Sequence, residues 1–258
     1  MARRVPFDVG QILGTNCLAN DRMANVPTMA RRMLLLGMIC TTLSLLAGCA
    51  VRPSSVQADR PTIMVKSVRL PVRGWLPWFT RFAEHTWIDF YHAGTWHRIE
   101  WNNIDYIWLN EMSATEAFDD VRWQREIAVH EQFTGEWTVP VMAKMLAIGT
   151  DYEYATNYLP WPGPNSNSFV DWLAREVDLP IVMPPSAIGK DHAMWLRAGI
   201  TAGNTGIELE TMLLGAEVGW REGVEVHVLG LTLGVGLWPP ALKLPFLPAI
   251  PGGWFAPE

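Results

Sequence analysis

HTWIDFYHAGTWHRIEW, residues 85–101, is the stretch on which the fold turns. Apolar and polar residues alternate through HTWIDFY, a small Ala93-Gly94 pair interrupts, and a second run, TWHRIEW, follows. A period of two sends neighbouring side chains to opposite faces, and a short glycine-containing break lets the chain reverse at once. The reading is a β-hairpin that starts at Glu84. Upstream, TIMVKSVRL (62–70) is β-branched and alternating, which makes it a strand; downstream, IDYIWLN (104–110) is a third. TVPVMAKMLAIG (138–149) has helical spacing and ends in Gly149. In PGPNSNSFVDWLAREV (162–177), Pro162 and Pro164 stiffen the approach, and Asn165 or Ser166 caps a helix that carries Phe169, Trp172, Leu173 and Val177 on one face. VEVHVLGLTLGVGL (224–237) is strand-like, and PPALKLPFLPAIPGG (239–253) is a proline-punctuated tail expected to be irregular. Together these predict an α+β domain: an antiparallel sheet with a few helices.

The chain has 258 residues, 49% of them hydrophobic and 18% charged, enough to bury a core. Its 14 tryptophans are read as core or cleft walls, with a sugar-stacking surface as the alternative. Residues 1–48 hold five arginines against two aspartates, +3 of a formal net charge of −6, which leaves −9 beyond them. An acidic domain lacks the basic footprint that nucleic acid needs, so nucleic acid is excluded as a partner. Electrostatic adhesion to anionic headgroups is disfavoured for the same reason.

Residues 29–48 have the layout of a secretory signal. Arg31 and Arg32 precede MLLLGMICTTLSLL (33–46), and small residues close it at Leu46-Ala47-Gly48-Cys49. The apolar run is shorter than the ~20 residues of a membrane-spanning helix. LAGC resembles the lipobox of bacterial lipoproteins, which implies cleavage before Cys49, lipidation of its thiol and attachment to a membrane. Ala50, in place of an aspartate, favours the outer membrane facing the periplasm. Residues 1–28 are an extra segment ahead of a complete signal, with Met23 or Met29 as the expected start, and residues 49–61 are a lipidated tether. Residues 62–258 form one globular domain. It contains no cysteine, hence no disulfide and no cysteine nucleophile.

WPGPNSNSF (161–169), PPSAIGKDH (184–192) and GLTLGVGLWPPALKLP (230–245) resemble a bacterial family known as domain of unknown function 3750, over most of residues 70–245. More distantly, Asn165-Ser166-Asn167-Ser168-Phe169-Val170 is similar to the N-C-x-x-F-V segment of circularly permuted papain-like proteins. That group includes lecithin:retinol-acyltransferase-like enzymes and some cell-wall peptidases. There a histidine on an early strand precedes a cysteine at a helix N-terminus; here Ser166 stands in the cysteine's place. The resemblance implies a permuted papain-like layout and a triad of Ser166, His85 as base and His97 as its orienter. Amides at the helix start would form an oxyanion hole. The reaction would be acyl transfer or hydrolysis on peptidoglycan peptides or acyl lipids. The other reading of Ser166 is a helix cap, and of the whole chain a non-catalytic binding or structural lipoprotein on a relic of that fold. Asn165 and Asn167 are read as turn-fixing or substrate-contacting residues, and Lys190 and Asp191 as a solvated loop or a cleft lining. The six histidines show no close metal-ligand spacing, so no metal and no cofactor are expected.

Overall fold

The computed structural model describes residues 60–70, 82–102, 106–118, 126–247 and 249–250, all within the compact unit Gly48–Glu258. The signal peptide, the extra N-terminal segment and Cys49 lie outside the described residues. Among the described residues, no helix is long and apolar enough to cross a membrane.

The expected hairpin is β2 (Glu84–His92) and β3 (Thr95–Glu100), paired from Ile88–Ile99 to His92–Thr95. Its turn is Ala93-Gly94, both at positive φ (50° and 87°), the conformation that a tight right-twisted hairpin requires. β1 (Thr62–Arg69) pairs with β2, and β4 (Trp108–Met112) pairs with β3, so the third predicted strand is present in its second half. β5 (Ala128–Thr134), which the sequence reading missed, completes a five-stranded antiparallel sheet in the order β4-β3-β2-β1-β5. α1 (Ala114–Phe118), α2 (Thr138–Ile148) and α3 (Ser166–Glu176) accompany it.

Alternation gives this sheet two different faces. Ile63, Val65, Ile88, Phe90 and Ile99 point one way and pack against Met142 and Met145 of α2 and Phe169 and Leu173 of α3. Met64, Trp87 and Asp89 point the other way. There the Arg98 guanidinium lies over the Trp87 ring at 5.0 Å and donates to both oxygens of Asp89, at 2.7 and 2.8 Å. Lys66 Nζ donates to the same carboxylate at 2.9 Å, so this buried charge is fully paired.

A second antiparallel sheet is a correction to the single sheet expected. β6 (Arg197–Ile200), β7 (Gly206–Glu210), β8 (Leu214–Gly219), β9 (Gly223–Val228), β10 (Leu231–Gly236) and β11 (Ala241–Lys243) form a six-stranded meander. β11 falls in the tail expected to be irregular, because Leu242 and its neighbours find partners along Gly234–Gly236. The polarity of this sheet is reversed. One row across it reads Gly199–Glu208–Glu217–Glu225–Gly234–Lys243 and faces inward, with every charged member buried. The adjacent row reads Ile200–Ile207–Val218–Val224–Val235–Leu242 and is exposed throughout. The domain is therefore α+β but strand-rich.

Candidate functional site

The helix start is built as the residues predict, with one change of role. Asn165 is the N-cap: its Oδ1 accepts from the amides of Asn167 (2.9 Å) and Ser168 (3.3 Å), and Ser168 Oγ accepts from the Asn165 amide at 2.8 Å. This is a capping box with serine at its third position. Ser166 is the first helical residue and does not cap. The residue is 3% exposed, and its hydroxyl reaches Asn167 Oδ1 at 3.5 Å. Tyr158 lies against it; burial raises that phenol, with hydrogen bonds to Ser166 opposing.

Asn165 and Asn167 then tie α3 to the rest of the domain. Asn165 Nδ2 donates to the carbonyls of Pro160 (3.1 Å) and Ile188 (3.0 Å). Asn167 Nδ2 donates to the carbonyls of Glu84 (3.0 Å) and Ile188 (2.8 Å), and its Oδ1 accepts from Thr86 Oγ1 at 2.9 Å. The strings WPGPN and IGKD thus meet at one junction. Gly189 sits there at φ +77°, where a Cβ would fall 2.5 Å from the Pro162 carbonyl oxygen, and its amide donates to the Gly230 carbonyl at 2.8 Å. Gly163, at φ +129° after the cis Trp161–Pro162 bond, stands against the His192 ring, 3.0 Å from where its Cβ would be. Only glycine suits either place.

Ser166 and His85 have different hydrogen-bond partners. Successive residues of β2 face opposite ways. Thr86 meets Asn167 on the α3 side, whereas His85 stacks on Trp87 (5.9 Å) on the other. His85 Nε2 lies 2.8 Å from Glu100 Oε1 instead. No hydrogen bond joins His85 to Ser166 among the described residues. His97 does not orient His85 either: it is paired with Phe90 and stacked on that ring at 5.1 Å, five residues further along the strand, about 17 Å. Burial lowers its pKa, with Glu111 opposing and His92 adding. Glu100 was not picked out from the sequence. Its pairing with His85 follows from register, which places it across from Trp87, and a lone glutamate in an alternating run gives no sign of that.

A second polar group lies near the edge of this sheet. Ser67 Oγ is 2.7 Å from His130 Nε2 and 2.6 Å from Glu84 Oε2, and Glu84 is also 3.2 Å from the same imidazole nitrogen. A relay needs the acid on the other ring nitrogen, so these three form a hydrogen-bonded triangle rather than a triad. Burial would raise the Glu84 carboxyl, but His130 and the Ser67 hydroxyl outweigh it and hold the pKa at about 2.

Lys190 and Asp191 are buried, which corrects the solvated-loop reading. Lys190 Nζ lies 2.7 Å from Asp191, 3.0 Å from Glu225 and 3.7 Å from Glu217. His227 completes the network: Nδ1 is 2.7 Å from Glu210, and Nε2 is 3.1 Å from Asp191 and 3.2 Å from Glu225. Lys243 binds Glu225 from the other side. Burial works against the charge on His227, but Asp191, Glu210 and Glu225 outweigh both burial and Lys190 and raise its pKa to about 10. Glu217 is raised well above the usual carboxylate range by burial and by its acidic neighbours. Asp191, Glu217 and His227 present atoms close enough for one metal ion. The Lys190 ammonium already supplies the cation those groups face. A parallel pair of bridges locks α3 to β7, since Arg175 joins Asp171 (2.9 Å) to Glu208 (2.7 Å) and Arg197 joins the same two acids (3.3 and 2.8 Å). GIELE and VEVHV hold these acids in plain alternation, the one signal that could have marked them.

A strand-rich α+β domain with a locked helix start and a buried ionic network is what the fold and site define. A family described as "Protein of unknown function (DUF3750)" matches residues 66–192, a span containing both WPGPNSN and IGKD, and this match supports placing the chain in that family. No curated protein and no solved structure matches the chain.

Proposed function

We propose that the chain is a non-catalytic binding or structural lipoprotein of the bacterial cell envelope, held through acyl chains on Cys49 to the outer membrane and facing the periplasm. The observation that carries the non-catalytic part is that the parts of an acyl-transfer centre are otherwise engaged. The amides of Asn167 and Ser168, which would cradle an oxyanion, are bound by Asn165 Oδ1. The imidazole that would activate Ser166 is hydrogen-bonded to Glu100 instead. A serine hydroxyl without a base in reach stays protonated near neutrality and is a poor nucleophile. The lipoprotein part is supported by the order of Arg31-Arg32, apolar run and LAGC.

Two measurements test this. Metabolic labelling with a palmitate analogue is expected to mark the chain and to be lost in Cys49→Ala. A fluorophosphonate probe is expected to leave Ser166 unlabelled. Covalent labelling that disappears in Ser166→Ala would overturn the reading in favour of a serine-dependent hydrolase or acyltransferase.

A further inference from the structure

We infer that the outer face of the six-stranded sheet seats on the lipid surface of the membrane to which the chain is tethered. The inference rests on the lipoprotein reading and adds a partner to it. The face is apolar in every row. Next to the row of Ile200, Ile207, Val218, Val224, Val235 and Leu242 runs Ala198–Leu209–Ala216–Val226–Leu233, and beyond it Leu214–Val228–Leu231. No charged or polar side chain interrupts them. Five strand spacings of ~4.8 Å and strands that average about five residues make a face of roughly 24 by 17 Å, about 400 Å² in projection. A patch of this size matches the largest that a monomer leaves to water, and such patches are often functional.

Tryptophans bound this face at both ends. Trp195, 81% exposed, precedes β6 at one end, and Trp220 (61%) and Trp238 (65%) follow β8 and β10 at the other. An indole has an apolar body and one N–H donor, so it favours the boundary between acyl chains and headgroups. Apolar residues outward, polar residues inward and aromatics at the ends form the pattern of a lipid-facing sheet. The strands hold three to six residues. That is short of the ~9–11 that a tilted spanning strand needs, so the face lies on one leaflet and does not cross it.

The tether and the charge favour lipid over a second copy as the occupant. From Cys49 to Arg60 the chain spans 11 peptide steps, a reach of at most ~40 Å, so the start of the domain is held within that distance of the bilayer and the effective concentration of lipid before it is high. Two copies stacked face to face would bring together two domains of formal charge −9. A zwitterionic surface carries no such repulsion, and a neutral face predicts seating that does not depend on anionic lipid or on salt.

The test uses the lipidated protein in phosphatidylcholine vesicles whose acyl chains carry bromine, a contact quencher of indole. Three of the fourteen tryptophans lie at the ends of the face, so quenching on the order of one fifth of the emission is expected, equally at low and high salt. Val226→Asp places a charge in the middle of an exposed row and is expected to abolish most of that quenching while the protein still floats with the vesicles. Trp195→Phe/Trp220→Phe/Trp238→Phe, which leaves the rows intact, is expected to remove the signal without changing flotation. Should Val226→Asp fail to fold by circular dichroism, Val226→Thr serves in its place, with a smaller loss. Flotation with unquenched emission would overturn the inference and leave the lipoprotein reading standing. Failure to float, with no acyl mass on Cys49, would overturn the lipoprotein reading itself. A concentration-dependent dimer in detergent-free solution that Val226→Asp dissolves would overturn the inference in favour of a second copy.

Discussion

Replacing Asn167 with alanine should be among the most damaging single changes in the domain, although nothing about its role is chemical. Its side chain makes three buried hydrogen bonds of 2.8–3.0 Å, to the carbonyls of Glu84 and Ile188 and from the Thr86 hydroxyl. Truncation strands the Glu84 carbonyl and the Thr86 hydroxyl where water has little access, since Thr86 and Asn167 are both almost fully buried, while the Ile188 carbonyl keeps its bond from Asn165. Each stranded group costs ~1–3 kcal/mol, so the sum for the two is about 3 kcal/mol after partial relaxation. With a urea slope near 3 kcal/mol per molar for a domain of this size, the unfolding midpoint should fall by about 1 M or more. Asn167→Asp keeps the acceptor for Thr86 but aims a carboxylate at two carbonyl oxygens, so it should be at least as damaging. Ser166→Ala, which loses only a 3.5 Å contact to Asn167 and the neighbourhood of Tyr158, should cost ~1 kcal/mol or less. The measurement is urea unfolding of all three variants, followed by tryptophan emission. A loss below ~1 kcal/mol for Asn167→Ala, or an equal loss for Ser166→Ala, would refute the account of the helix start as a structural lock.

Lys190→Met removes one of the two cations that Asp191 and Glu225 share, leaving His227 alone between them, and should destabilise the domain by about 3 kcal/mol in thermal or urea unfolding. On the acid side, Glu84 titrates near 2 in the fold against 4.5 when free. A depressed carboxyl stabilises fully above its free value, so its contribution, on the order of 3 kcal/mol at most, should disappear as pH falls from 4.5 towards 2. On the alkaline side, His227 titrates near 10 in the fold against 6.5 when free. A raised imidazole stabilises fully below 6.5 and loses that contribution as pH climbs to 10, so His227→Gln should flatten this limb of the stability profile.

The hairpin was legible because both of its determinants are local: alternation in HTWIDFY and a turn pair that tolerates positive φ. The helix start was legible for the same reason, although the cap proved to be Asn165 and not Ser166. What escaped depends on which way a pattern faces. VEVHV and GIELE announce two unlike faces, but a period of two is silent on which face turns inward, and hydrophobicity alone points to the wrong one. The partnership of His85 with Glu100, and the burial of Lys190 among residues 27–35 positions further on, arise from register and from sheet-on-helix packing. Neither leaves a trace in spacing.

The family match ends at residue 192, and the ionic network shows why that end is not a seam in the molecule. Lys190 and Asp191 fall just before it; Glu217, Glu225 and His227, which hold them, fall well after, and Arg175 is likewise severed from Glu208. Expressed apart, the first half would strand a lysine, an aspartate and an arginine, and the second would present a row of glutamates short of cations. Neither half is expected to fold by itself, since both belong to the one compact unit Gly48–Glu258. Co-expressed as separate polypeptides, the two would be expected to recover the native shape only by finding each other.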